Sequence, residues 1–141
     1  MNSEVILKVT DLKTHFDVTK GMFAKKQIVK AVDGVSFEIH KGETFGLVGE
    51  SGCGKSTVAH SVMNLLPDGN EEIKGKIIFK GEDLRRYGPK EMENIRGKEI
   101  GMIFQNPLDS LNPVYTVGGQ VAEAILLDKV DKQEAWNRVI N

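Results

Sequence analysis

The chain has little of what staples or interrupts a fold. Its 141 residues hold one cysteine, Cys53, and four prolines. One cysteine excludes an internal disulfide framework and fits a reducing compartment. Charge of one sign is lacking too. The formal net charge is −1, so no global field recruits nucleic acid or anionic lipid. The densest basic run, Lys25-Lys26 with Lys20 and Lys30 nearby, reads as a solvated loop. No apolar run approaches the roughly 20 residues that span a bilayer. Met1-Asn2-Ser3-Glu4 is not a basic region leading into an apolar one, so no signal peptide is expected. A membrane role would have to come through a partner. Internal repeats and low-complexity tracts are absent.

What is present is globular in character, with 40% hydrophobic and 28% charged residues. This length suggests one domain at most, able to bury about two thirds of its unfolded surface. Val5 to Val9 is apolar and β-branched and reads as a strand. Thr19 to Lys26, centred on Gly21, reads as a polar loop. Ile28 to Ile39 alternates around Asp33-Gly34, a turn signal between two short strands. Lys41-Gly42 turns the chain again. Thr44 to Val48 is nearly all apolar and suits a strand buried on both faces of a mostly parallel sheet.

Further on, apolar residues at 58, 59, 62, 63, 65 and 66 predict a one-sided helix over 56–66, stopped by Pro67-Asp68-Gly69-Asn70. Gly75 to Lys80 and Ile100 to Phe104 read as strands, with a short helix from Glu91 to Arg96 between them. A helix is expected from Val117, and another from Asp131 to Asn141 with Asp131 as its cap. The order of elements indicates an α/β fold with an antiparallel β portion at the N-terminus.

The strongest chemical signal is Gly49-Glu50-Ser51-Gly52-Cys53-Gly54-Lys55-Ser56-Thr57. It fits the P-loop pattern Gly-x-x-x-x-Gly-Lys-Ser, with an apolar run before it and an amphipathic segment after it. Glycines let backbone amides approach an oxyanion closely. Those amides, with the positive end of the following helix, form an anion site. Lys55 would bring a point charge to the β- and γ-phosphates, and Ser56 a hydroxyl to Mg²⁺. Thr57 would contact the α-phosphate side or cap the helix. The bland alternative, a glycine-rich turn with a chance lysine, needs the whole pattern and its context to coincide by accident. The expected ligands are therefore ATP and Mg²⁺. Cys53 is either a small residue tolerated in the loop or a thiol made reactive by the helix N-terminus. In the second case ATP would protect it from alkylation.

A P-loop names a ligand class, not a purpose. Val29 to Ile39, followed by Lys41-Gly42-Glu43-Thr44-Phe45-Gly46-Leu47-Val48-Gly49, resembles the nucleotide-binding subunits of ABC transporters. Ile95 to Pro107, with Phe104-Gln105-Asn106-Pro107 and then Ser110-Leu111-Asn112-Pro113, is similar to the oligopeptide/dipeptide permease branch of that family. Asn106 departs from the Asp common there. The resemblance covers essentially the whole chain. It implies a P-loop NTPase of the ABC type, with residues 1–105 forming the N-terminal part of the ATP-binding core. Residues 106–141 would begin the helical subdomain that docks on a permease.

The resemblance implies further roles. Gln105 takes the place of the glutamine that touches Mg²⁺ and the attacking water, a task suited to an amide that both donates and accepts. Phe16 takes the place of the aromatic that stacks on adenine, with His15 as the alternative and Val32 lining the other side of the base. Tyr115 and Trp136 are either docking anchors or packing residues. The implied partners are transmembrane permease subunits, an extracytoplasmic peptide-binding protein and a second ATPase subunit. The implied location is the cytoplasmic face of the membrane.

The 141 residues carry no Leu-Ser-Gly-Gly-Gln signature, no second acidic motif and no switch histidine. Gly118-Gly119-Gln120 lacks the preceding Leu-Ser and reads as a helix entry. The expectation is a fragment, a truncated product or a chain completed by another, which binds MgATP weakly and hydrolyses little. The alternatives are a non-hydrolysing ATP-binding product, a non-transport ABC ATPase and a small-metabolite kinase. A kinase has no reason to carry the Ser-Leu-Asn-Pro segment. The transported solute is not readable.

Overall fold

The computed structural model describes residues 4–20, 25–66, 71–104, 111–127 and 129–140. It divides into two compact units, Met1–Gly101 and Met102–Asn141.

The first unit is built on a four-stranded antiparallel sheet of order β2-β1-β3-β4. Its strands are β1 (Val5–Asp17), β2 (Ile28–His40), β3 (Glu71–Phe79) and β4 (Glu82–Asp83). Helix α1 (Lys55–Val62) lies between β2 and β3 in the chain. A 3-10 turn (Leu84–Arg86) and helix α2 (Pro89–Ile95) follow β4. The core joins one face of the sheet to these helices: Val9 and Leu12 of β1, Val32 of β2, Ile77 and Phe79 of β3, Val58 and Val62 of α1, with Leu84 and Met92. Burying side chains of this kind contributes roughly 1.5–3 kcal/mol each, and that burial holds α1 to the sheet.

Several sequence expectations change. Asp33-Gly34 is not a turn between two strands, because β2 runs unbroken through it. Leu12 pairs with Val35 and Lys13 with Asp33, so the register skips Gly34. With φ of 88°, this glycine makes a bulge instead of a hairpin. Ala31 is skipped in the same way, between Thr14↔Val32 and His15↔Lys30. β1 carries its own bulge at Asp11, φ 48°, facing Gly75, where an added Cβ would sit 2.4 Å from the Asp11 carbonyl oxygen.

The expected buried strand at 44–48 does not form, and the expected parallel sheet is absent among the described residues. Val48 is 93% exposed. Only its start is anchored, by the Phe45 ring stacked on Phe37 of β2 at 5.0 Å. Ile100–Phe104 likewise forms no strand beyond a single parallel bridge between Arg96 and Ile100, and Ile103 is 97% exposed. The physical reason is shared. An apolar segment becomes a strand when a neighbour takes its backbone hydrogen bonds, and among the described residues no strand pairs with either segment beyond the bridge at Ile100.

Helix α1 is shorter than its apolar spacing suggested. It ends at Val62, and Asn64 turns left-handed at φ 49°. Arg96 closes that end, its guanidinium donating to the carbonyls of Met63 (2.8 Å) and Asn64. A cation at a helix C-terminus satisfies orphan carbonyls and complements the dipole. The expected loop centred on Gly21 and the stop at 67–70 fall largely outside the described residues.

The second unit holds α3 (Val117–Leu126) and α4 (Lys132–Ile140). Thr116 caps α3 by accepting from the Gly119 amide at 3.2 Å. Gly118-Gly119-Gln120 is thus a helix entry, as its context suggested. Asp131 caps α4, accepting from Gln133 and Glu134 amides at 2.8 and 3.0 Å. Trp136 packs closely over Gly118, where a Cβ would meet its ring at 3.2 Å.

This division between core and periphery is testable. Leu12→Ala is expected to cost about 2–5 kcal/mol. Val48→Ala is expected to stay within about 0.5 kcal/mol. Denaturant titration followed by circular dichroism measures both. A comparable loss for Val48→Ala would mean that 44–48 is packed in solution.

Candidate functional site

The loop from Gly49 to Gly54 leads into α1 without a strand behind it. Gly52 and Gly54 have φ of 81° and 94°, a region that side chains disfavour. Gly54 is the N-cap of α1. Its backbone sits so close to β2 that an added Cβ would lie 2.2 Å from the Ala31 carbonyl oxygen and 3.6 Å from a Val32 methyl. The bulge at Ala31 therefore forms the seat of the loop. Gly49 has a separate reason to be glycine, since a Cβ there would meet the Cys53 sulfur at 2.5 Å. Inside the loop, the Cys53 amide donates to the Glu50 carbonyl at 3.3 Å.

The donor set is cationic and amide-rich. Lys55 Nζ donates to the carbonyls of Gly49 (3.0 Å) and Glu50 (2.6 Å) and lies 3.6 Å from Cys53 Sγ. The first turn of α1 has no acidic residue, and its cap makes no side-chain hydrogen bond. First-turn amides have no intrahelical partner. They stand beside an ammonium and the exposed Ser56 hydroxyl. These groups fit a polyphosphate. Among the described residues no His, Cys, Asp or Glu cluster could hold a metal ion. A divalent ion here would have to arrive on the phosphates, as Mg²⁺ commonly does, with Ser56 as a protein oxygen.

Helix α1 is tied to the sheet by a hydrogen-bonded pair inside the core. Thr14 on β1 and Ser61 on α1 are 0% and 3% exposed, and their hydroxyl oxygens are 2.9 Å apart. Ser61 also donates to the Thr57 carbonyl at 2.7 Å. Sequence reading passed over both residues. A hydroxyl in the apolar alternation Leu12, Thr14, Phe16 was the available signal.

The two base-stacking candidates part company. Alternation along β1 puts Phe16 on the face of Thr14 and His15 on the opposite face. His15 Nε2 lies 3.0 Å from Asp33 Oδ1. His15 also lines a groove with Asp17, Thr19, Lys26, Ile28, Glu71 and Glu72. Asp33 is held below the usual carboxylate range by a hydrogen bond from Lys30, then by one from His15. The Thr19 hydroxyl and amide do the same for Asp17, and Lys74 for Glu72. Asp17 and Glu72 thus stay ionised within the groove, which makes it a poor surface for a polyphosphate. Val32, the other suggested base contact, is buried under Gly54. Gln105 lies outside the described residues. Cys53 is exposed.

The sequence pattern of the ABC transporter family matches residues 32–141. The chain is 46% identical over 140 residues to the dipeptide transport ATP-binding protein DppD of Bacillus subtilis (strain 168), covering 98% of this chain and 40% of that protein. It is 44% identical over 137 residues to the oligopeptide transport ATP-binding protein OppD of the same organism, with 96% and 37% covered. The dipeptide transport ATP-binding protein DppF of Escherichia coli (strain K12) is 42% identical over 124 residues, with 87% and 35% covered. The chain therefore spans no more than about two fifths of the length of these curated relatives.

The glycine seat gives a graded prediction. Gly52→Ala meets open space and adds only left-handed strain, roughly 1 kcal/mol. Gly54→Ala adds the same strain plus a clash with β2 backbone, so its total should exceed about 3 kcal/mol. Thermal unfolding is expected to drop further for Gly54→Ala, and equal drops would show that the loop does not rest on Ala31.

Proposed function

Because the chain belongs to the ABC transporter family, we propose that it contributes the phosphate-binding half of an ATP-binding, energy-coupling subunit for import of oligopeptides or dipeptides. The observation that carries this reading is the loop of 49–57. It combines a left-handed glycine cap on a helix N-terminus, a lysine ammonium drawn over the loop and a first turn free of acidic residues. The names of the relatives support the transport context.

In this reading the amides of 52–57 and Lys55 hold the β- and γ-phosphates. Ser56 offers its hydroxyl to Mg²⁺, which when bound would neutralise charge as it develops on the phosphates. Lys55 must exchange the carbonyls of Gly49 and Glu50 for phosphate oxygens. Phe16 is the base platform, favoured over His15 because it shares the face of Thr14 and is not engaged by Asp33. Gln105 orients the attacking water, a role carried over from the family motif. Hydrolysis also needs a carboxylate and a second loop over the γ-phosphate. The 141 residues supply no recognisable motif for either, so turnover by this chain alone should be slight. Its partners would be a second ATPase subunit, permease subunits in the membrane and an extracytoplasmic peptide-binding protein. Among the described residues no helix is long and apolar enough to cross a membrane, which suits a peripheral subunit at the cytoplasmic face.

Titration with a fluorescent ATP analogue and Mg²⁺ tests the reading. Lys55→Ala is expected to weaken binding about 10- to 100-fold, the usual range for losing charge-assisted hydrogen bonds. Phosphate release should remain near background in both proteins. Undiminished binding by Lys55→Ala would remove the loop from the site.

A further inference from the structure

Resting on the nucleotide reading above, we infer that Thr14 and Ser61 are positioning residues that set the spacing between a base platform on β1 and the phosphate cradle at the head of α1. The direction of the bonds follows from proton counting. Ser61 has one hydroxyl proton and donates it to the Thr57 carbonyl at 2.7 Å. Thr14 Oγ1 must then be the donor to Ser61 Oγ across 2.9 Å. The result is a directed chain, Thr14 to Ser61 to Thr57, from β1 to the first turn of α1, next to the loop.

Each end of the chain leads to one part of the proposed ligand site. Thr57 closes the segment 49–57. Phe16 follows Thr14 by two residues on the same face of β1, and its neighbour on β2 is Val29. The cradle rests on Ala31 and Val32 of the same strand, two to three residues away, or about 7–10 Å along a strand. A nucleotide spanning both must match that spacing. Apolar packing alone tolerates sliding, because it is not directional. A buried hydroxyl pair does not, because a broken bond leaves a polar atom unsatisfied in the core. No buried side-chain polar atom is unpartnered among the described residues, so this device is complete as it stands.

The test compares two ligands in the 141-residue chain. MgATP touches platform and cradle, whereas magnesium tripolyphosphate touches the cradle alone. Calorimetric titration is made on the parent, Thr14→Val, Thr14→Ser and Ser61→Ala, with circular dichroism confirming the fold of each. Thr14→Val and Ser61→Ala are expected to weaken ATP about three- to tenfold, the worth of one hydrogen bond. Both should leave tripolyphosphate within about twofold, and Thr14→Ser should restore ATP. Should Thr14→Val fail to fold, Ser61→Ala and Thr14→Ser carry the comparison. Equal losses for both ligands would make the pair a mere structural support, and no loss for either would deny it any role; each overturns the inference alone. A parent chain that binds neither ligand overturns the nucleotide reading and the inference with it.

Discussion

The close approach of Gly54 to the Ala31 carbonyl is the contact on which the rest of this molecule is arranged. It requires a residue without a Cβ at the head of α1 and a strand that puts a bulged carbonyl in the right place. With that contact made, α1 starts at Lys55 and points its first-turn amides out of the loop. Its apolar side then falls on the sheet, where Val58 and Val62 join Val9, Leu12, Val32 and Ile77. Ser61 comes opposite Thr14, and the far end reaches Arg96. Three attachments of different chemistry thus locate one eight-residue helix: a steric seat, a hydroxyl pair and a cationic cap.

The legible parts of the fold were the local ones. The P-loop spacing, the Asp131 cap and the helix entry at Gly118 depend on residues within a few positions of one another, and each was readable, whereas the Thr116 cap came only with the structure. Thr14 and Ser61 are 47 residues apart, and nothing in either neighbourhood announces the other. Gly34 is a case of degenerate chemistry. Asp-Gly serves a hairpin turn or a bulge equally well, because both need positive φ, and strand pairing decides between them.

Thr44–Val48 and Ile100–Phe104 failed for the opposite reason. Their apolar composition was read correctly, but composition states only that a segment is suited to burial. Whether it is buried depends on strands beside it, and none lies there among the described residues. The same distinction separates Phe16 from His15. Sequence offered both, and the alternation of β1 together with the Asp33 contact placed them on different faces.

Lys55 adds a consequence for how an anion would be received. Its ammonium already makes two hydrogen bonds to its own loop, at Gly49 and Glu50. Binding is then an exchange of acceptors, not the capture of a bare charge. The net gain is the difference between phosphate oxygens and backbone carbonyls. A weakly charged ligand gives little such difference, whereas a polyphosphate gives a large one. Under the proposed role the loop would set a threshold, favouring dense negative charge over a passing carboxylate, and the lysine that attracts the ligand would also screen what is admitted.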